Sequence, residues 1–451
     1  MNKLEKDKLM FEGNVFKLVI KMAIPVALGM LFNLIYNLVD TFFICRIDLM
    51  DPSLIGGPSV VYPITFIAMA LASGLNNGVS SIVARAIGEK KEKFGKKPLI
   101  YGLFLGFTVG TVVALIIYIF KKQIIYILGA QGSYFQNALT YINYIWPMFF
   151  IMMVFHAVTG YFQGHGDMKI YMILMIVGNV ANIVLDPILI FGLNMGVKGA
   201  ALATTIGNAL TLFIGFHILF KRENVYTIIK SITKEDSFII KEIVYIGFPQ
   251  TLRLIIVSFM SLVTIKLAIS VDPIGFSSLS ILNRLEQLLY LPIWGVSFTL
   301  IATVGQNIGR KLYKRVDKIV NVSQFIGFTG TLFLSLLILI FSNLIFGLFT
   351  EDPTVKSLCI FQMKILLITF PLFVFPMITE NFYQAIGKPL PSLWLMIFRT
   401  FIVFIPIALV TVKVMKLGLY GIYYSKIITA ILCSIVEIIC IKITMKKIKK
   451  I

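Results

Sequence analysis

Charge is what this sequence has least of: only 14% of its 451 residues are Asp, Glu, Lys or Arg, while 58% are hydrophobic. A soluble domain carries about a quarter charged residues, because a polar shell has to enclose its core. With a mean hydropathy of +0.91 the chain has too few charges to cover 50.7 kDa, so lipid must be its second solvent. Acids are scarcer than bases, 21 against 41, for a formal net charge of +20. The basic residues fall in short clusters between apolar runs and not along one soluble face, which argues against a nucleic-acid partner and reads as membrane topology. Cysteine is rare too. Cys45, Cys359, Cys433 and Cys440 lie in or at the ends of apolar stretches without CxxC spacing, so neither a disulfide framework nor a zinc site is indicated. The three histidines (His156, His165, His217) are too dispersed for a metal centre, and no HExxH or GxSxG motif occurs. No enzyme and no cofactor is therefore expected. The polar start MNKLEKDKLMFEGN carries both signs of charge, unlike a cleavable signal, so the first apolar run is expected to direct insertion itself.

What the sequence does have is long apolar runs. A membrane-crossing helix needs about 20 mostly apolar residues, and twelve such stretches can be placed, centred near residues 31, 66, 110, 150, 180, 208, 257, 293, 333, 371, 402 and 430. The expected fold class is an all-α integral membrane protein with twelve spans. Lys and Arg concentrate at the N-terminus, in alternate loops (Arg85 to Lys97, Asp167 to Lys169, Lys221 to Lys241, Arg310 to Lys318, Lys388) and in the tail Lys442 to Lys450. By the positive-inside rule those segments are cytoplasmic, and so are both termini. The basic tail fits either a topogenic cluster beside anionic headgroups or a site for an anionic lipid.

The two halves of the chain repeat each other. Gly74 and Gly88 are fourteen apart, as are Gly295 and Gly309, and each second glycine opens a basic loop. The same offset of 221 carries Phe162-Gln163-Gly164 onto Tyr383-Gln384-Ala385, while an offset of 222 carries Gly196 and Gly199 onto Gly418 and Gly421. Six spans per copy give both copies one membrane orientation. The expected organisation is two pseudo-symmetric six-helix lobes, residues 1–220 and 243–451, joined by a polar cytoplasmic segment, 221–242.

Acids and amides inside the spans break this symmetry. The first span places Asn33, Tyr36 or Asn37, and Asp40 on one helical face, and the fifth does the same with Asn179, Asn182 and Asp186. The sixth adds Thr204 and Asn208. Asp40 maps onto Thr264 at the offset of 224 fixed by Pro25 and Pro249, and Asp186 plus 221 lands on Ile407, so the second half lacks this constellation. An ionisable group inside a membrane helix costs about 3 kcal/mol at the helix centre. It therefore faces the bundle interior and marks a functional site, although Asp40 near Arg46 and Asp186 before Pro187 could also be caps near the outer surface. Two carboxylates in a water-poor site cannot both ionise cheaply, so a proton or a metal cation such as sodium is expected there. Tyr141 of the fourth span joins Asn33, Tyr36, Asn37, Asn179 and Asn208 as a candidate for cargo contact. Pro25 lacks the N–H that would complete the first helix and is the expected hinge. In the second half Arg253, Lys266, Arg284, Glu286, Lys364, Glu380 and Arg399 fall within apolar stretches, where interhelical ion pairs are expected, with contact to the substrate as the alternative.

The run NIVLDPILIFGLNMGVKGAALATTIGN, the LVDTFF of the first span and the VGQNIG after the eighth resemble the multidrug and toxic compound extrusion (MATE) family across the whole chain. In particular they resemble its DNA-damage-inducible-protein-like branch. The resemblance implies an alternating-access antiporter of the plasma membrane, acting as a monomer among membrane lipids. It would export small organic cations in exchange for protons or sodium. Carried over by motif, the coupling site is Asp40, Asn182, Asp186 and Thr204, which would also be the ligands if the ion is sodium. The acids that another branch carries in spans seven and ten are here Val257 and approximately Phe373, so no second-lobe sodium site of that kind is expected. A lipid-linked oligosaccharide flippase, related in fold, is the alternative; it would need a cationic cavity, to which Arg253, Arg284 and Arg399 could contribute.

Overall fold

The computed structural model describes residues 3–47 and 51–450 and contains no strand among them. A short α1 (Lys3–Phe11) leads into α2 (Val15–Cys45), followed by α3 (Ser53–Gly88), α4 (Glu92–Ile127), α5 (Gly132–His165), α6 (Met168–Pro187), which runs on as a π-helical turn over Ile188–Gly192, and α7 (Val197–Arg222). After α8 (Val225–Lys230) and a 3-10 turn (Lys234–Ser237), the second half holds α9 (Phe238–Val271), α10 (Pro273–Leu289), α11 (Leu291–Gly309), α12 (Tyr313–Ile340), α13 (Ser342–Gly347), α14 (Pro353–Leu366), α15 (Thr369–Leu372) and α16 (Val374–Ala385). It closes with α17 (Leu390–Ile397), a π segment (Phe398–Phe404), α18 (Ile405–Leu409), a second π segment (Val410–Val414) and α19 (Leu419–Ile448). Among the described residues eleven helices are long and apolar enough to cross a membrane, and Pro353–Leu366 with Thr369–Ala385, bent by 50°, makes a twelfth when the pair is counted as one broken span. The twelve apolar runs are therefore twelve helical spans.

Proline explains where the second half breaks. A proline removes the hydrogen bond to the carbonyl four residues earlier. Pro371 leaves Leu367 without that donor and Pro376 does the same to Leu372; the helices end at Leu366 and Leu372. Pro292 stands at the start of α11, just after the break at Tyr290.

The repeat is visible in the backbone. Lys90 and Lys311 have positive φ (60° and 59°), as do Gly166 and Gly387 (76° and 71°), both pairs 221 apart. Asn194 and Lys416 (both 52°) and Gly196 and Gly418 (54° and 62°) follow at 222. Between these sets lies the π segment Phe398–Phe404, which has no counterpart in α6, whereas Val410–Val414 matches Ile188–Gly192. A π-bulge is an inserted residue in an α-helix, and this one accounts for the step from 221 to 222. It moves the counterpart of Asp186 from Ile407 to Ala408, equally uncharged.

The residues group into two compact units, Leu28–Thr251 and Met1–Ala27 with Leu252–Ile451. The first 27 residues thus go with the second half, and the segment 221–242 with the first. Both divisions fall two residues after a proline of a long helix, Pro25 in α2 and Pro249 in α9. Each lead-in segment is held within its own unit. Arg315 of α12 donates to the carbonyls of Leu9, Met10 and Gly13 at 2.8, 3.0 and 2.7 Å, closing the C-terminal end of α1. In the other unit the joint is tied by Lys96–Glu223 (2.6 Å), Lys97–Asp236 (2.7 Å) and Arg85–Glu242 (2.7 Å). There α3 and α9 cross at Gly74 and Gly247, where a Cβ on either glycine would strike the backbone of the other.

Candidate functional site

Within Leu28–Thr251, helices α2, α5, α6 and α7 bring together most of the residues singled out above. Asn182 and Asp186 are four apart on the last turns of α6, and both are buried, as is Thr204 on α7. The Asn182 amide fits best with its nitrogen donating to Asp186 Oδ2 at 2.8 Å and its oxygen accepting from Thr204, at 2.9 Å from the backbone nitrogen and 3.1 Å from Oγ1. One amide thereby bridges the carboxylate and the hydroxyl. The Tyr36 hydroxyl from α2 and the Tyr141 hydroxyl from α5 both come within interaction range of Thr204. Asp40, one helical turn beyond Tyr36, is close enough to Asp186 for the two carboxylates to repel. One oxygen of each, Oδ1, is buried without a hydrogen-bond partner among the described residues, and so is Asn179 Nδ2. Neither carboxylate pairs with a Lys or Arg there.

Two of the remaining cargo candidates, Asn37 and Asn208, bond to the backbone of their own helices. Asn37 is exposed and donates to Asn33 within α2, 2.8 Å from its carbonyl and 3.2 Å from its side-chain oxygen. Asn208 donates to the Thr204 carbonyl of its own helix at 2.8 Å. Among the described residues no three His, Cys, Asp or Glu side chains converge as a metal centre would require. What the site offers an ion is two carboxylates, an amide oxygen and hydroxyls, an all-oxygen set suited to a proton or a hard cation.

The second half holds charges of a different kind, all in the other unit. Glu380 on α16 pairs with Arg253 of α9 and, at 3.7 Å, with Arg399 of the π segment. Arg399 Nη2 also lies 2.8 Å from the Met396 sulfur, and its guanidinium 5.7 Å from the centre of the Phe373 ring. Glu437 of α19 completes the cluster, within electrostatic reach of both arginines. Sequence reading passed over Glu437, although a lone acid in SIVEIIC is as plain a signal as Glu380. Glu286 pairs with Lys426 at 3.3 Å. The expectation of ion pairs fails for Arg284, Lys266 and Lys364, which are exposed and make none among the described residues. A long stem lets such a side chain lie along apolar surface and carry its charge toward water.

Comparison with known proteins agrees with this architecture. The MatE family pattern matches the chain twice, over residues 25–188 and 249–410, one match per half. The multidrug export protein MepA of Staphylococcus aureus (strain bovine RF122 / ET3-1) is 28% identical over 401 residues, covering 87% of this chain and 86% of its own. The probable multidrug resistance protein YoeA of Bacillus subtilis is 24% identical over 372 residues, covering 81% and 80%. A solved outward-facing multidrug resistance MATE transporter of the MOP superfamily superposes with a TM-score of 0.91 at 26% identity over 98% of both chains. A MOP superfamily transporter from Pyrococcus furiosus, whose binding pocket is described as reversed in polarity, does so with a TM-score of 0.91 at 25% identity, again over 98% of both. Twelve spans in two repeats, each repeat matched by the same family pattern, make this chain a multi-pass membrane protein of the MatE family, whose members are transporters and not enzymes.

Proposed function

We propose that the chain is a secondary active antiporter that exports cationic amphiphilic drugs or other toxic organic cations in exchange for protons or sodium. The observation that carries this reading is the pair of carboxylates: Asp186, tied to Thr204 through Asn182, and Asp40 near it, neither with a Lys or Arg partner among the described residues. Such a pair is neutralised by whatever cation is available, so ion and cationic cargo compete for it. Asp40, Asn182, Asp186 and Thr204 form the coupling site, and Tyr36 of α2 and Tyr141 of α5 close it. The remaining amides, Asn33, Asn37, Asn179 and Asn208, line the approach for cargo. Ion binding favours one geometry of α2, which bends at Pro25, and alternating access follows. The protein acts as a monomer in the plasma membrane with both termini cytoplasmic, and its branch is the DNA-damage-inducible-protein-like one.

Exchange of one monovalent cargo cation for one proton cancels the membrane-potential term and leaves about 1.4 kcal/mol per pH unit, a tenfold cargo gradient. The alternative, a lipid-linked oligosaccharide flippase, would draw on Arg253, Arg284 and Arg399, and antiport is preferred because Arg253 and Arg399 are engaged with Glu380. The test is efflux of a fluorescent organic cation from proteoliposomes with pH and sodium gradients imposed separately. Efflux driven by either gradient supports antiport; efflux indifferent to both would sink it.

A further inference from the structure

The repeat leaves one groove filled in the first half and open in the second. In the first half α8 folds back after α7, and Ile228 is buried in one apolar cluster with Leu99 of α4 and Leu219 of α7, against which Ile100 and Leu103 also pack. The repeat offsets carry Ile100 and Leu103 onto Asn321 and Gln324 of α12, and Leu219 onto Ile441 of α19. Here α19 does not turn back where α7 does but stays helical to Ile448. A groove of about 300 Å³ lies between the two helices, lined from α19 by the apolar Ile438, Ile441 and Met445 and by Lys442, Lys446 and Lys449. Lys449 pairs with Asp317 at 3.1 Å. Lys442 and Lys446 are exposed and make no ion pair among the described residues.

We propose that this groove binds the headgroup of an anionic phospholipid. Three lysines face one carboxylate, so the groove carries a surplus of positive charge, and basic pockets between membrane helices hold anionic headgroups for that reason. Lys442 and Lys446 take the phosphate, Asn321 and Gln324 donate to its ester or glycerol oxygens, and the acyl chains run along Ile438 and Met445. A second protein segment in the manner of α8 is a poor occupant, because amides stand where the first half has Ile100 and Leu103. A soluble phosphate would leave the apolar wall without a partner.

The experiment uses the full-length protein in a non-ionic detergent and reads lipid retention by native mass spectrometry and the thermal unfolding midpoint. Phosphatidylglycerol, phosphatidylcholine and glycerol phosphate are added in separate arms. The expected result is retention of phosphatidylglycerol with a raised midpoint, and neither effect from the other two. Lys442→Gln with Lys446→Gln should weaken phosphatidylglycerol binding about thirtyfold, whereas Lys447→Gln with Lys450→Gln, which removes the same charge outside the groove, should leave it within about twofold. Asn321→Leu with Gln324→Leu keeps every charge and should still cost about tenfold; it also serves if the lysine variant fails to fold. Equal retention of the two lipids, equal loss in the two lysine variants, an unchanged amide variant, or a midpoint shift reproduced by glycerol phosphate would each overturn the proposal.

Discussion

The two halves of this protein put charge inside the membrane in opposite ways. In the first, Asp186 meets the Asn182 amide and has Asp40 nearby, with no counter-charge on either among the described residues; in the second, Glu380 meets two arginines. The repeat sharpens the contrast, since Arg253, Arg399 and Glu437 stand where the first half has Gly29, Gly178 and Gly215. A Cβ at Gly178 would collide with Thr211, and one at Gly29 or Gly215 would press on Met175 or Val158. One half uses these positions for close helix packing and the other for a charge cluster. Its helices differ accordingly: α3 and α5 run unbroken, while their counterparts break at Tyr290 and near Leu367. The difference teaches that burial of charge is not in itself a sign of coupling. A carboxylate locked between arginines has no need of an ion, whereas a pair without counter-charge must acquire and release one.

The largest effect is expected where counter-charge is missing. Asp40→Asn should abolish ion-coupled export while the protein stays inserted and folded, because the amide keeps the shape of the side chain but cannot cycle its charge. Asp186→Asn should do nearly the same. Gradient-driven efflux at the wild-type rate by either variant in proteoliposomes would remove the site from the mechanism.

Next comes the opposite test on the second half. Glu380→Gln leaves two arginines buried with their shared acid neutralised, and loss of one partner of a buried pair costs about 3 to 5 kcal/mol. Folded yield and thermal midpoint should fall, yet the pH and sodium dependence of the remaining export should not move. Glu286→Gln should follow the same pattern more mildly, because Glu286 and Lys426 are partly exposed and pair less closely. A shifted pH midpoint or sodium requirement in either variant, normalised to folded protein, would bring the second half into coupling and end the contrast.

A smaller effect is expected for the neutral members of the first site. Asn182→Ala and Thr204→Ala each remove a hydrogen-bond partner worth about 1 kcal/mol, so the apparent affinity for the coupling ion should weaken about fivefold with cargo affinity less changed. Of the two, Asn182→Ala should cost more, since it severs the bridge between Asp186 and Thr204. Equal ion affinity in wild type and both alanine variants would show that the bridge has no part in holding the ion.

Much of this was legible in the sequence because it is written locally. Apolar runs set the spans, glycines and basic loops set the repeat, and Asp40, Asn182, Asp186 and Thr204 stand out as polar residues in apolar helices. Even the inserted π segment left a trace, as the step from an offset of 221 to 222. What sequence could not supply is what distant residues do together. Nothing local says that Tyr36 and Tyr141 both approach Thr204, that Asn37 is exposed and bonds back to Asn33, or that Arg284 is exposed while Glu286 is paired. Nor does a division at the polar joint reveal that α1 is closed by Arg315, three hundred residues away along the chain.

The smallest effect tests whether the halves share a hinge although they do not share a site. Ala27 and Thr251, where the two compact units divide, are 224 apart, the offset that aligns Pro25 with Pro249. In α2 the carbonyl of Lys21, and in α9 that of Tyr245, has no N–H donor four residues on, because a proline stands there. Replacing either proline with alanine restores a hydrogen bond worth about 1 kcal/mol to the straight helix, enough to shift a bent-to-straight equilibrium about fivefold. Pro25→Ala should therefore slow export a few-fold without changing which ion drives it, since Asp40 lies about four helical turns beyond Pro25. If Pro249→Ala slows export to the same degree, the repeat has kept two equivalent hinges around one surviving coupling site. If only Pro25→Ala has an effect, the asymmetry extends from the charges to the backbone, and α9 serves as a fixed post. Export by Pro25→Ala at the wild-type rate would remove the hinge from α2 and require the ion's effect to leave the site by another helix, for which α6, with its π-helical turn directly after Asp186 and Pro187, is the one in place.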